Sequence, residues 1–165
     1  MLKIREGNAR DITALLRVER VCFPFDAYDA SYFNYLIRRT SPGLFWVAEV
    51  KRNIVGYAIA LPEGKPGQRV AHLYSIAVLP EYRRQGLGRT LLQAVEEGAR
   101  RNGLKRIVLE VRISNVDARR LYESLGYRCV SIIPGYYPDG EDAVVYEKDL
   151  TKKVYRSDTV VSLEE

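Results

Sequence analysis

Two glycines and three arginines are gathered in one short stretch, Arg83-Arg84-Gln85-Gly86-Leu87-Gly88-Arg89. Residues 70–78, just upstream, are apolar and rich in β-formers, and they close on Leu79-Pro80. Just downstream, Leu87, Leu91, Val95 and Ala99 recur at helical spacing. A strand, a glycine-bearing turn and a helix start, in that order, form an anion cradle. The amides of a first helical turn have no intrahelical partners, and the helix dipole adds positive potential there. Gly86 and Gly88 carry no β-carbon, so backbone can approach a phosphate closely. The guest this implies is a pyrophosphate. Two nucleotide motifs are excluded. No Lys-Ser or Lys-Thr follows the glycines, as a Walker loop requires. Leu91 stands where a dinucleotide fingerprint puts its third glycine.

The other residues able to do chemistry are Glu110, Tyr122 and Tyr74. Glu110 lies on the apolar strand expected over residues 106–111, where an acid is either an ion-paired surface residue or a base with a shifted affinity for protons. Tyr122 shares a helical stripe with Ala118, Leu121 and Leu125, and by spacing alone it is a half-buried core tyrosine. Tyr74 is on the central strand. His72 falls on the same face by strand alternation and reads as a structural histidine. Cys22 and Cys129 have neither metal-ligand spacing nor a histidine nearby, and they read as buried thiols. No metal site is expected.

The elements that must position these groups follow from pattern. Residues 2–6 alternate as a first strand; Asn8 caps a helix running to Cys22; a proline-aromatic break, Phe23-Pro24-Phe25-Asp26-Ala27-Tyr28, follows. Asp29 or Ser31 opens a second helix. Residues 45–50 and 54–61 are strands joined through Lys51-Arg52-Asn53, and residues 62–68 form a Gly/Pro loop. After the central strand, the anion loop and the long helix, Asn102-Gly103 makes a C-cap. The strand over 106–111 then lies parallel to the central one, Ser114-Asn115 leads into a last helix ending at Gly126, and residues 127–134 and 143–150 close the sheet. With 165 residues the chain makes one domain, 1–150, and a tail, 151–165. Its apolar fraction of 47% and charged fraction of 28% are those of a soluble protein, and no apolar run approaches membrane-spanning length, so a cytoplasmic location is expected.

Arg-x-x-Gly-x-Gly after a strand ending in Ala-Val resembles the coenzyme A pyrophosphate loop of the GCN5-related N-acetyltransferase (GNAT) superfamily. Leu109-Glu110-Val111-Arg112-Ile113-Ser114-Asn115, then Ala118, Leu121-Tyr122 and Leu125-Gly126-Tyr127, resembles the second half of that core. Gly135-Tyr136-Tyr137 through Ala143 is similar to the substrate-side hairpin of protein N-terminal acetyltransferases, and the chain resembles RimI-type alanine acetyltransferases and the archaeal and eukaryotic N-terminal acetyltransferase catalytic subunits. The resemblance spans residues 2–150. It implies an α/β fold: a mixed, mostly antiparallel sheet splayed between strands 4 and 5, with helices on both faces. It implies acetyl-CoA as cosubstrate, held by Arg83, Arg84, Gln85, Gly86, Leu87, Gly88 and Arg89, by backbone at Ile76, Ala77 and Val78, and by Asn115 and Tyr122. Glu110 matches a general base, Tyr122 a donor to the departing thiolate, and Tyr74 a tyrosine that works with a water. Phe23, Pro24, Tyr28, Tyr136 and Tyr137 match residues lining a peptide entrance. One departure stands out: Asp26 occupies the loop where one branch carries a glutamate.

The function implied is acetylation of protein α-amino groups, with a protein or nascent-chain N-terminus as acceptor. Ribosome association and a homodimer stay open, and no membrane partner is implied. Acetylation of a small amine and a non-catalytic CoA-binding subunit are the alternatives. The paired tyrosines weigh against the first, and the presence of both Glu110 and Tyr122 against the second. A net charge of +5 admits nucleic acid, but the basic clusters are scattered and no recognition motif accompanies them.

Overall fold

Seven strands form one sheet in the order β1-β2-β3-β4-β5-β7-β6: β1 Leu2–Glu6, β2 Phe45–Val50, β3 Asn53–Glu63, β4 Val70–Val78, β5 Arg106–Arg112, β6 Arg128–Ile133 and β7 Ala143–Asp149. Among the described residues four α-helices accompany them: α1 Ile12–Cys22, α2 Ala30–Arg39, α3 Leu87–Arg101 and α4 Val116–Ser124. This computed structural model describes residues 1–152; beyond residue 152 the expected tail lies outside the described residues. No helix among those residues is long and apolar enough to cross a membrane.

The helices start where the sequence offers caps. The Asn8 side chain accepts from the Arg10 amide while Asp11 reaches back to the Asn8 amide, a reciprocal cap that feeds α1. Asp29 accepts from Tyr32 at α2, and Asn115 from Ala118 at α4. Helices cover both faces of the sheet. A β-carbon at Gly56 would touch Leu91 of α3, whereas the neighbouring Tyr57 hydroxyl bonds Glu19 of α1, so α3 lies on one face and α1 on the other. Helix α4 shares the α3 face, because Tyr122 packs on Tyr146, and Lys148, two residues on, bonds Glu96 of α3. The α3 contact with the loop before β2 is backbone on backbone: a β-carbon at Gly98 would fall 1.8 Å from the Gly43 carbonyl oxygen.

Two expectations need correction. Strand β3 runs through Pro62 to Glu63 instead of stopping at Leu61. Strand β2 ends its pairing opposite Ile59, so beyond that point this side of β3 is an edge, and an absent proline N–H leaves no ladder bond unmade. Cys129 is exposed, not buried, because β6 is an edge strand exposed along its whole length; Cys22 is half-buried, and both are free thiols.

The splay has a visible origin. Strands β4 and β5 pair in parallel only at Ala71–Ile107 and His72–Val108. Just beyond, Ser75 pairs with Ile59 and Leu73 with Ala60, leaving Tyr74 as the extra residue of a bulge. A bulge bends and twists its strand, so β4 turns away while β5 stays with β7. The Leu79 amide bonds the Val55 carbonyl at 2.8 Å. By antiparallel alternation Ala77 also bonds across to β3, whereas Ile76 and Val78 point their backbone groups into the gap.

Candidate active site

On the α1/α2 face, at the mouth of this gap, the sheet gathers titratable side chains. Val111, Leu109 and Ile107 face inward on the other side, so alternation turns Glu110 toward this face. His72 lies between two carboxylates: Nε2 is 2.8 Å from Glu110 Oε1 and Nδ1 is 2.8 Å from Glu63 Oε1. Glu63 also accepts from the Tyr74 hydroxyl, and the Tyr136 hydroxyl approaches Glu110 Oε1 at 3.4 Å. The His72 and Tyr74 rings lie 4.4 Å apart. Burial alone would depress the imidazole, but hydrogen bonds and charge from Glu110 and Glu63 outweigh it and raise its proton affinity above the ordinary value. Burial, then the bond to Glu63, holds the Tyr74 phenol neutral.

Two loops wall the mouth. Residues 23–29 join α1 to α2, and residues 134–142 join β6 to β7. Arg112 ties them together: Nη2 meets Asp26 at 2.5 Å, while Nη1 meets Asp139 at 2.9 Å and Glu141 at 2.8 Å. Its guanidinium lies 4.2 Å from the centre of the Tyr137 ring. Asp26, in the loop where one branch carries a glutamate, is therefore committed to this ion pair. Tyr28 donates to the Tyr74 carbonyl at 3.0 Å, and its own amide is held by the buried Glu19 at 3.1 Å. Tyr136 and Tyr137 pack edge to face, and burial first of all pushes the Tyr137 phenol up to about 12. Phe23 is half-buried, Pro24 is exposed, and Phe25, which no motif singles out, is 96% exposed at the same loop.

Tyr122 is on the opposite face from Glu110 and does not touch it. It is buried against Tyr127 and Tyr146 with ring centres 5.7 and 5.9 Å away, and Tyr146 is the cross-strand partner of Leu109. Its hydroxyl has no hydrogen-bond partner among the described residues. Burial raises its pKa, with Tyr137 adding to the effect. Glu110 and Tyr122 thus flank the gap between β4 and β5 from its two faces.

The anion loop leads from β4 into α3. Gly86 has φ 80°, no side chain caps α3, and a β-carbon at Gly86 would meet nothing within 4 Å, which leaves the first-turn amides open to a guest. Gly88 serves packing: its β-carbon would sit 3.3 Å from Leu121. Leu87 is buried and anchors the turn, and Arg84, Gln85 and Arg89 are exposed. Arg83 Nε donates to the Val78 carbonyl at 2.8 Å, and Arg89 donates to Ser124 at 3.1 Å, tethering α4 to α3. Asn115 spends its side-chain oxygen as the α4 cap. Open strand-edge amides at Ile76 and Val78 and an uncapped 15-residue helix next to arginines suit a long pyrophosphate-bearing group. Among the described residues no group of three or more His, Cys, Asp or Glu is arranged to hold a metal.

The acetyltransferase (GNAT) family profile matches residues 11–127. An N-alpha-acetyltransferase from Saccharolobus solfataricus is 34% identical over 157 residues, covering 89% of this chain and 92% of the relative. Among solved structures, the ribosomal-protein-alanine N-acetyltransferase of Escherichia coli superposes with a TM-score of 0.80 at 29% identity, covering 94% of this chain and 98% of that one. Ard1 from Thermoplasma volcanium superposes with a TM-score of 0.82 at 26% identity, covering 90% and 97%.

Proposed function

The chain belongs to the GNAT acetyltransferase family, and on that premise we propose that it transfers acetyl from acetyl-coenzyme A to the α-amino terminus of cytosolic proteins, ribosomal proteins among them. The observation that carries this reading is the tyrosine-walled mouth, Tyr28, Tyr136 and Tyr137 on two loops pinned by Arg112, which opens directly on Glu110. Tyrosine hydroxyls suit a peptide backbone, while their rings limit the first side chain. Small first residues (Ser, Ala, Thr) fit best, followed by Met.

Bound acetyl-CoA supplies a thioester carbonyl ready for attack by an amine. The α3 amides and Arg84 would hold its pyrophosphate, and the backbone of Ile76 and Val78 would receive its arm along the open edge of β4. Glu110 accepts the proton shed by the amine nitrogen as that nitrogen bonds to the acyl carbon, directly or through a water held by Tyr74. An α-amine with pKa about 7.7–8.0 is already neutral on the order of one time in ten at pH 7, whereas a lysine near 10.4 is neutral about once in a few thousand. A carboxylate suffices for the first and falls short for the second. Tyr122, on the other face of the gap from Glu110, would serve the departing sulfur. Proton transfer from an ordinary phenol (pKa about 10) to a thiolate of conjugate pKa about 8.5 is uphill by about 2 kcal/mol, and the buried Tyr122 is a still weaker acid. Its role is therefore that of a neutral O–H donor stabilising the sulfur as negative charge develops, with solvent completing the protonation.

Incubation with acetyl-CoA and peptides differing at residue 1, with the product fragmented in a mass spectrometer, tests the reading. A 42-Da gain (the mass of an acetyl group) on the α-nitrogen supports it, and a gain confined to side chains removes it.

A further inference from the structure

We propose that Glu63 is a positioning residue of the acyl-transfer site: its carboxylate spans His72 and Tyr74 and fixes an imidazolium that in turn aims Glu110 at the acceptor amine. This rests on the reading of Glu110 as proton acceptor. Glu63 is the last residue of β3 and pairs with Val70, so the hairpin register brings its side chain beside His72, two residues further along the partner strand. One oxygen takes His72 Nδ1 at 2.8 Å and the other takes the Tyr74 hydroxyl. At the far side of the ring, Nε2 stands 2.8 Å from Glu110 Oε1.

An imidazole flanked this way has a single protonation state that satisfies both neighbours. Neutral histidine has one N–H and one lone pair, so one carboxylate would face a lone pair at hydrogen-bond distance; the imidazolium donates at both nitrogens. The titratable groups bearing on the ring are Glu63 from β3, Glu110 from β5 and Tyr74 from its own strand. Tyr136 approaches through Glu110, and Tyr32 and Tyr35 of α2 act on Tyr74. Neither carboxylate has a second cationic partner among the described residues. The His72 proton is therefore shared by two acids, and Glu63, on the side away from the Tyr136 approach, keeps it there when Glu110 itself becomes protonated during turnover. Because the partners raise the folded pKa, the imidazolium persists to higher pH than an unpaired one and is lost as pH climbs through that raised value. Without the Glu63 charge, that loss comes at lower pH.

His72 is the sole histidine of the chain, so its ring resonances need no assignment. The test is an NMR titration of the full chain, without substrate, for wild type, Glu63→Gln and Glu110→Gln, paired with pH profiles of kcat. Wild-type His72 is expected to titrate above the ordinary histidine value of about 6.5, and each variant below wild type. Glu63→Gln should lower kcat by about 10–100-fold, the usual range for orienting partners, leave KM for acetyl-CoA unchanged, and move the alkaline limb of the profile to lower pH. An unmoved His72 titration in Glu63→Gln, or a moved one with wild-type kcat at every pH, overturns the role of Glu63. Normal turnover by Glu110→Gln instead removes the base assignment on which that role rests.

Discussion

Gly98→Ala sets two effects of opposite sign against each other. In a helix interior, alanine is favoured over glycine by about 1 kcal/mol, so on propensity alone α3 would gain stability. The new β-carbon, however, would sit 1.8 Å from the Gly43 carbonyl oxygen, 2.4 Å from its carbonyl carbon and 2.9 Å from its α-carbon. All three are backbone, so no rotamer change can relieve them. To reach even 3.0 Å from the oxygen, helix and loop must part by more than 1 Å, the difference between that contact limit and the 1.8 Å approach. Overpacking of this kind costs about 1–3 kcal/mol, occasionally more, which outweighs the propensity gain at most of that range. For a chain of this size each kcal/mol moves the melting midpoint by about 2–4 °C, so a fall of several degrees is expected, read by far-UV circular dichroism. Because α3 carries the anion loop at its other end, weaker acetyl-CoA binding at a temperature where the variant is still folded should accompany it. A midpoint equal to or above wild type would refute the reasoning, since it would mean that helix propensity decides and the close approach does not.

Gly86→Asp puts a carboxylate at the uncapped start of α3 and imposes a side chain at φ 80°; calorimetric titration should show acetyl-CoA affinity falling at least tenfold. Glu110→Gln should lower kcat by about 10²–10⁴-fold with little change in KM for acetyl-CoA, the range for loss of an acid–base group; Tyr122→Phe should lower kcat by less, because it forfeits a hydrogen bond and not a proton acceptor. Arg112→Met should raise KM for a peptide acceptor far more than KM for acetyl-CoA in steady-state assays, because it releases both mouth loops at once. Burial raises the Glu19 carboxyl above its ordinary value, against the pull of Tyr57, the Tyr28 amide and Ser75. Its contribution to stability is then full below the unfolded pKa and declines as pH rises through the folded one. The melting midpoint of Glu19→Gln relative to wild type should accordingly improve from pH 4 toward neutrality.

Much of this site was legible because its parts are local. The strand, the glycine turn and the helix of the anion loop are contiguous, and Glu110 and Asn115 fall five residues apart on one strand-to-helix turn. Caps at Asn8, Asp29 and Asn115 announce helices wherever they occur. Glu63 was hidden by a proline: Pro62 signals the end of a strand, and only the tertiary fact that β2 has already run out lets β3 continue past it. Once β3 is extended, Gly64, Pro66 and Gly67 become a hairpin turn, and the register that sets Glu63 opposite Val70 makes His72 its neighbour. The His72 bridge joins residues 38 apart in sequence, and the ion pair of Arg112 with Asp26 joins residues 86 apart. Nothing in local pattern encodes such separations. The bulge at Tyr74 is of the same kind, because it is a mismatch between two strands and has no composition of its own.

The most direct measurement compares two substrates in one assay, at neutral pH and saturating acetyl-CoA: a peptide with a free Ser or Met at its start and no lysine, and the same peptide α-blocked with a lysine inside. If the tyrosine-walled mouth admits an amine only with its adjacent peptide group, kcat/KM for the free terminus should exceed that for lysine by at least two orders of magnitude, in keeping with the difference in neutral amine at that pH. Equal rates on the two peptides would contradict it.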